Sequence, residues 1–306
     1  MTTQVENGKA FEWAIAQALS RSTGGVQIYE NTSKTNAERC FWEISQALRD
    51  RFELAADKAV QHILSKEATN DVVRHPHSVR ISADSQGQSG DVRDVILTGL
   101  AGELGISCKT NHDAFKHPRL SGQIDFVRKW ELDPVGCSHE YWNTVRPIFQ
   151  ELDQIRRDSG GHAVWQDLEG KAERFFWPVL DAFESELVKL TNINAEHPAE
   201  VSKSLIKYIV GNRDFFKIVC RSDQVEIQGF NLNESLSVGK TKYPDHVVGI
   251  DRLDGGQFSK TVRFNRGFTF NFRIHNASSR IEPSLKFDIR AISLPPSEIY
   301  TNHIDL

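Results

Sequence analysis

Residues 91–109 have the sequence DVRDVILTGLAGELGISCK. Two runs rich in β-branched and aliphatic residues flank a turn that contains glycine, and this pattern predicts a β-hairpin. The first strand carries Asp91 and Asp94 near its start, and the second ends at Lys109 inside an otherwise apolar run. The hairpin therefore places carboxylates and an ammonium group on neighbouring strands of one sheet.

The patterns before and after the hairpin differ. Apolar residues recur at helical spacing over residues 8–19, 36–64 and 140–210. From Phe216 onward, short strand-like runs alternate with Gly and Pro. These patterns predict an α+β protein with a helical and β-hairpin part over residues 1–210 and a β-rich part over residues 211–306.

Composition and charge narrow the class of protein. The chain has 306 residues, a net charge of -4 and a pI of about 6.3, and it has no run of about 18 apolar residues that could span a membrane. The N-terminus lacks the basic and apolar regions of a secretory signal, and the four cysteines form no CxxC pair, so we expect reduced thiols in a cytoplasmic protein. The acidity alone argues against nucleic acid as a partner. Residues 200–306, however, hold 15 Lys and Arg against 12 Asp and Glu, so the second part is basic.

Carboxylates and a lysine on adjacent strands favour metal-dependent cleavage of phosphodiester bonds. Carboxylate oxygens are the ligands that Mg²⁺ prefers. The metal lowers the pKa of a bound water and stabilises charge that develops on the phosphate. A lysine in this position orients the water or stabilises the transition state.

The register of the hairpin decides which aspartate takes part. A turn centred on Leu100 places Asp91 opposite Lys109, whereas a turn centred about one residue later places Asp94 opposite residues 107–108. Side chains at positions 91 and 94 point to opposite faces of a regular strand, so we expect only one of them to be a direct ligand. The apolar run that follows Asp94 at once favours Asp94.

The second acid of the site is open. Nucleases of this kind usually carry Asp or Glu two residues before the lysine, where this chain has Ser107. Glu103 shares strand parity with Ser107 but lies about 13 Å along the strand from it, and Glu12 on the first helix is the other candidate. The candidate catalytic residues are Asp94, Asp91, Lys109, Ser107 and Glu12, and the candidate metal ligands are Asp94, Asp91, Cys108 and Glu103.

A polar run follows Lys109. Residues 110–121 have the sequence TNHDAFKHPRLS. Asn and Arg side chains read base edges, and Lys, His and Arg side chains hold phosphates. The candidate DNA contacts in this run are Asn111, His112, Lys116, His117 and Arg119.

The hairpin and the run after it resemble the HaeIII-type restriction endonucleases. The similar segments are residues 8–12, 90–97, 106–121, 141–143, 147–149, 270–278 and 282–289, so the resemblance spans nearly the whole chain. The family pattern has a serine two residues before the catalytic lysine, as Ser107 is here. It has His where this chain has Thr110 and Ser where this chain has Pro118.

The resemblance implies a type II restriction endonuclease with a PD-(D/E)XK nuclease core that uses Mg²⁺. Members of this family cut double-stranded DNA in the middle of GGCC and leave blunt ends. A cognate cytosine methyltransferase is then expected to be encoded nearby, although not as a binding partner. The β-rich part becomes the candidate for DNA recognition, through Arg273, His275, Asn276 and Lys286.

Several alternatives stay open at this point. Arg273 and Lys286 could be simply the polar face of alternating strands. A repair or recombination nuclease that reads DNA structure would use the same core, but it would not need the separate β-rich part. A non-catalytic DNA-binding module would not need the Asp and Lys pair. A palindromic site with two cuts fits a homodimer, and sequential nicking by a monomer is the alternative.

Overall fold

The computed structural model describes residues 3–83, 91–110, 114–116, 118–130, 136–253 and 258–306. Within these ranges no helix is long and apolar enough to cross a membrane. The helices are α1 (Gln4–Ser22), α2 (Thr32–Glu43), α3 (Gln46–Lys66), α4 (Asp71–Arg74), α5 (His139–Asp158), α6 (Trp177–Thr191) and α7 (Pro198–Val210). The strands are β1 (Gln27–Ile28), β2 (Pro76–Ile81), β3 (Val95–Gly99), β4 (Gly102–Thr110), β5 (Ala114–Lys116), β6 (Arg119–Ser121), β7 (Phe215–Cys220), β8 (Gln224–Phe230), β9 (Val247–Leu253), β10 (Ser259–Phe264), β11 (Thr269–His275), β12 (Ser284–Ser293) and β13 (Tyr300–Asp305). The predicted α+β class is confirmed.

The chain forms two compact units, and each is assembled from separate stretches of sequence. The first unit comprises Met1–Asp113, Gly211–Lys242 and Pro296–Leu306, and the second comprises Ala114–Val210 and Tyr243–Pro295. One break between the units falls after residue 210, and the stretch from residue 211 to residue 306 is shared between both units. The reason is that β7 pairs in parallel with β4, so the strands after residue 210 first complete the sheet that the hairpin began.

The sheet of the first unit contains the predicted hairpin. Its strand order is β1-β2-β3-β4-β7-β8-β13. Strands β3 and β4 are antiparallel, with Val95 opposite Ile106 and Gly99 opposite Gly102. The turn therefore centres on residues 100–101, which is the later of the two predicted registers.

Helix α1 covers one face of this sheet, and its residue pattern explains why. Thr3 caps the helix and forms a reciprocal capping box with Glu6, which satisfies backbone donors at the helix start. Phe11 packs against Phe52 of α3 with ring centroids 5.2 Å apart. Nearly every residue from Lys9 to Leu19 is buried, so the helix is enclosed on most sides, and any charged residue within it needs a partner.

The sheet of the second unit has the strand order β5-β12-β11-β10-β9, with β6 also paired to β12. Helix α6 packs on one face of it, where Phe183 contacts Phe272 and Phe287 at centroid distances of 5.1 and 4.8 Å. Strands β11 and β12 alternate between these buried aromatic residues and polar ones. The alternation leaves the opposite face of the sheet polar.

The hairpin turn packs closely on α4, which yields a test of the fold. A Cβ added at Gly99 would lie 2.7 Å from the Cα of Val72 and 2.9 Å from the carbonyl oxygen of His75, both of which are backbone atoms. We expect Gly99→Ala to lower the free energy of unfolding by about 1–3 kcal/mol, because neither backbone atom can move without displacing α4. Urea unfolding measures the change.

Gly8→Ala is the matched control. A Cβ at Gly8 meets nothing within 4 Å, and the residue lies inside α1. Removal of a helical glycine should raise stability by up to about 1 kcal/mol. Equal changes in the free energy of unfolding for the two substitutions would contradict the close approach of α4 to the hairpin turn.

Candidate active site

Asp94 is held by three donors on the neighbouring strand. Its Oδ2 accepts hydrogen bonds from the Ser107 hydroxyl at 3.1 Å, the Cys108 backbone N–H at 2.7 Å and the Lys109 ammonium at 3.1 Å. The backbone N–H of Asp94 donates to the Ile106 carbonyl at 2.8 Å and continues the β3–β4 ladder. The register thus selects Asp94, and not Asp91, as the acid that faces the lysine-bearing strand.

Lys109 keeps its charge through this contact. Burial works against the ammonium form, but the attraction of Asp94 and the hydrogen bond to it outweigh that effect, so the pKa of Lys109 is raised. The side chain keeps 29% of its surface exposed. A charged, partly accessible ammonium group therefore lies beside the carboxylate.

Glu12 of α1 is an acid whose charge interacts with those of both Asp94 and Lys109. The side chain is buried, and both carboxylate oxygens accept from the Lys9 ammonium, at 3.0 and 3.1 Å. Burial and then the charge of Asp94 raise the pKa of Glu12 to about 8, against the opposing effects of Lys9 and Lys109. Two carboxylates and two ammonium groups thus interact within one site.

Lys9 is the member of this group that sequence reasoning missed. It lies one helical turn before Glu12 and is itself buried. Its signal in the sequence is the spacing of three residues between opposite charges on a helix that is otherwise apolar. Buried charges in proteins are normally paired, so that spacing could have assigned Lys9 together with Glu12.

Asp91 and Glu103 lie in a different network. Both carboxylates bind the buried Arg93 guanidinium, at 2.7 Å from Asp91 and 2.9 Å from Glu103, and neither makes a hydrogen bond or ion pair to Asp94 or Lys109. Burial opposes ionisation of Asp91, but the hydrogen bonds and charge of Arg93 prevail, so its pKa is lowered. These two acids hold Arg93 and stand apart from the Asp94 contacts.

Arg93 lies across a gap that Gly105 leaves in β4. A Cβ at Gly105 would come within 2.0 Å of Cδ and 2.6 Å of Cγ of Arg93. The arginine is the residue directly before Asp94, so its anchoring by two acids fixes the segment that presents Asp94. Arg93 and Gly105 are therefore positioning residues that the sequence pattern did not reveal.

Cys108 contributes its backbone rather than its thiol. The side chain is buried in the apolar core between α1 and the sheet. Burial, followed by the charges of Asp94 and Glu12, raises the pKa of the thiol well above its usual range. A protonated thiol is a poor ligand for Mg²⁺, which prefers oxygen.

The oxygen atoms at this site suit a divalent cation. Asp94 Oδ1 receives no hydrogen bond from the described residues, whereas Oδ2 receives three. Burial is the main cause of the raised pKa of Glu12, and the charge of Asp94 adds to it, so a cation would offset both effects. Within the described ranges no three His, Cys, Asp or Glu side chains form a ready ligand set. Mg²⁺ commonly binds through one or two carboxylates together with water and substrate phosphate.

The candidate DNA contacts after Lys109 are only partly described. Asn111, His112 and His117 lie outside the described residues, and Lys116 is described only through its place in β5. Arg119 begins β6 and binds Glu282 and the Ser284 hydroxyl, both in the second unit.

The four later candidates lie on or beside the polar face of the second sheet. We use "polar face" for the side chains of Thr261, Arg263, Asn271, Arg273, His275, Lys286, Asp288 and Arg290, which alternate with the aromatic core on β10, β11 and β12. Both ring nitrogens of His275 have partners within the protein. Nε2 lies 2.9 Å from Asp288 Oδ2, and Nδ1 lies 2.9 Å from the Asn276 carbonyl oxygen. The Asn276 amide donates to the Ser278 carbonyl at 2.7 Å. Arg273 and Lys286 make no hydrogen bond or ion pair with the described residues.

Comparison with known proteins agrees with this arrangement. A family model described as HaeIII restriction endonuclease matches residues 8–295. The type II restriction enzyme HaeIII of Haemophilus aegyptius is 30% identical to the chain, and the match covers 96% of each protein. No solved structure matches the chain.

The raised pKa of Glu12 predicts a pH dependence of stability. Folding lifts this pKa from about 4.5 to about 8, so the folded protein binds more protons than the unfolded chain between those values. The stability that the folded protein gains from this extra proton on Glu12 is complete below about pH 4.5 and is lost as the pH rises through about 8. Glu12→Gln resembles the protonated form and does not titrate. In EDTA, the Tm of the variant relative to wild type should therefore increase from about pH 5 to about pH 9.

Thermal unfolding of both proteins across this range measures the effect. Asp57→Asn is the matched control, because Asp57 is an exposed acid paired with Arg21. Its Tm difference from wild type should change little over the same range. A Tm difference between Glu12→Gln and wild type that does not vary with pH would contradict the raised pKa of Glu12.

Proposed function

This chain belongs to the HaeIII family of type II restriction endonucleases, and we propose that it cuts both strands of DNA in the middle of GGCC, leaves blunt ends and uses Mg²⁺. The observation that carries the proposal is the triply bonded Asp94 carboxylate with Lys109 and Glu12 around it. The sequence GGCC is supported by the family resemblance and by the similarity to HaeIII over nearly the full length. An enzyme that acts on DNA in this way would work in the cytoplasm.

Asp94 and Glu12 are the residues that would hold the metal. Bound there, Mg²⁺ supplies Lewis acidity that lowers the pKa of water and offsets charge on the phosphate. The three hydrogen bonds to Oδ2 fix the plane of the Asp94 carboxylate. The position of Oδ1, the proposed ligand oxygen, is therefore set before a metal binds. Lys9 holds both oxygens of Glu12, which fixes that carboxyl group at the end of its buried side chain.

Lys109 supplies the positive charge nearest to the reacting phosphate in this proposal. Its ammonium group is charged, partly exposed and fixed by Asp94. A fixed cation of this kind orients the attacking water or stabilises the negative charge of the transition state, without any need to reorganise during the reaction. Ser107 stands at the usual position of a second acid, and its hydroxyl donates to Asp94 instead.

The two units would divide the work. The first unit contains every residue of the proposed catalytic group, and the second unit carries the polar face with Arg273 and Lys286. Cations without acidic partners attract a polyanion, and phosphate contacts set the position of a protein on DNA. The second unit is therefore the proposed DNA-recognition part.

The symmetry of the proposed DNA sequence bears on the oligomeric state of the enzyme. Two cuts in a palindrome fit a twofold homodimer, in which each copy cuts one strand. Sequential nicking by one copy is the alternative, and a nicked plasmid that accumulates before the linear form would favour it. A cytosine methyltransferase encoded nearby would protect the host DNA from either form.

Cleavage of an unmethylated plasmid tests the proposed function. With Mg²⁺ we expect discrete fragments whose ends, once sequenced, are blunt and fall in the middle of GGCC. EDTA should abolish cleavage. A smear without a common end sequence, or cleavage at another sequence, would contradict the proposed specificity.

Lys109→Ala tests the catalytic role of the lysine. The variant should lose cleavage while it keeps DNA binding in a gel-shift assay, because the proposed DNA face lies on other residues. Lys58→Ala is a suitable control, since Lys58 is an exposed lysine that binds the Asp305 carbonyl away from the catalytic group. If Lys109→Ala still cuts at the wild-type rate, Lys109 has been misassigned.

A further inference from the structure

The cations of the second sheet fall into two groups. Arg119 is paired with Glu282, and Arg263 is paired with Asp251. Arg273, Lys286 and Arg290, by contrast, make no hydrogen bond or ion pair with any described residue, although all three are partly buried. Partly buried cations lose hydration, and for these three no described residue replaces it, so they favour a ligand rich in acceptor atoms.

Arg290 differs from the other two in how it is held. Its Nε atom is fully buried and has no acceptor among the described residues. The pairing of β12 with β5 shifts register between Ile289 and Arg290, and such bulges redirect a side chain. The one carboxylate on the same strand face, Asp288, is engaged by His275. The donors of Arg290 are therefore not used by any described residue, although its Nε atom is buried.

Asn271 lies directly opposite Arg290 on β11. The Cβ atoms of such a cross-strand pair are about 5 Å apart. The Asn271 amide nitrogen donates to the Thr261 hydroxyl at 3.4 Å, which leaves its Oδ1 as an acceptor. The side chain is 7% exposed, so its orientation is constrained by its neighbours. Arg290 and Asn271 thus present a donor fork beside one fixed acceptor.

This pattern is complementary to a G·C base pair. In the major groove guanine presents two acceptors, N7 and O6, and cytosine presents one donor, its N4 amino group. We infer that Arg290 and Asn271 together read one G·C pair, with the arginine on guanine and the asparagine oxygen on the cytosine amino group. The inference rests on the proposed function, because it deepens the DNA recognition that the second unit provides.

Arg273 and Lys286 have a different role in this arrangement. Both lie on the same face as Arg290, at positions displaced along β11 and β12 by about 7 Å per two residues. The carboxylate between them, that of Asp288, is bound to His275. They are phosphate contacts, which add affinity for any DNA but no choice of sequence.

The distinction is measurable by equilibrium binding in a Lys109→Ala background, where no cleavage occurs. Arg290→Lys keeps the charge but removes the planar fork. It should weaken binding to the GGCC duplex by about 5- to 150-fold and leave binding to a duplex without the site unchanged. Arg273→Ala should weaken binding to both duplexes alike and reduce the slope of log affinity against log salt by about 1.

Further variants separate the outcomes. Asn271→Leu should also lower the preference for GGCC without a change in salt slope, and Arg157→Lys on the exposed surface of α5 is the control for a conservative arginine change. Thermal unfolding checks that each variant is folded. If Arg290→Lys keeps the wild-type preference, or weakens both duplexes equally, Arg290 does not read a base.

Failure of this inference is distinguishable from failure of the proposed function. If the wild-type enzyme cuts no DNA, the proposed function is wrong whatever the binding data show. If it cuts another sequence, the same comparison is made with that sequence. A loss of preference at its G·C pairs would still support the role of Arg290, and an unchanged preference would still overturn it.

Discussion

The hydrogen bond from the Cys108 backbone N–H to Asp94 Oδ2, at 2.7 Å, is the contact on which the site depends. A backbone donor cannot rotate away, so it fixes the carboxylate relative to β4. The Ser107 hydroxyl and the Lys109 ammonium bind the same oxygen. Hydrogen bonds to a charged group contribute about 1.5–3 kcal/mol each. This anchor is available only in the register that places Val95 opposite Ile106, so the turn of the hairpin determines the chemistry at its open end.

The surrounding structure places a second carboxyl group against this anchor. Helix α1 is enclosed by apolar packing, and Glu12 and Lys9 enter the site from that buried surface. Burial, and to a lesser extent the charge of Asp94, raise the pKa of Glu12 to about 8. In the proposed function, a cation bound beside the two carboxyl groups would favour their ionised forms.

Local patterns in the sequence predicted the local parts of this arrangement. Alternation and turn residues were sufficient for the hairpin. For Arg273 and Lys286, the polar face of alternating strands was one of the alternatives that the sequence left open, and the structure places both residues on such a face. The choice between Asp91 and Asp94 needed the register, which depends on a shift of one residue in the turn.

The parts that sequence reasoning could not supply depend on contacts between distant residues. Glu12 could be named but not selected, because its approach to Asp94 depends on how α1 packs on the sheet. The return of residues 211–242 and 296–306 to the first unit was not foreseen, because β7 joins β4 in parallel across about a hundred residues of intervening chain. The role of Gly105 emerged only from the path of Arg93 across it. The lack of a described partner for Arg290 likewise depends on which residues its neighbours engage.

Binding of Mn²⁺, measured by isothermal titration calorimetry in the presence of a GGCC duplex with an uncleavable linkage, tests the central claim most directly. Asp94→Asn and Glu12→Gln should each lower the metal affinity at least about tenfold, whereas Asp91→Asn should leave it near that of the wild type, because Asp91 serves Arg93. A protein that loses Mn²⁺ binding on Asp91→Asn and retains it on Glu12→Gln would contradict the assignment of Asp94 and Glu12 as the metal-binding pair.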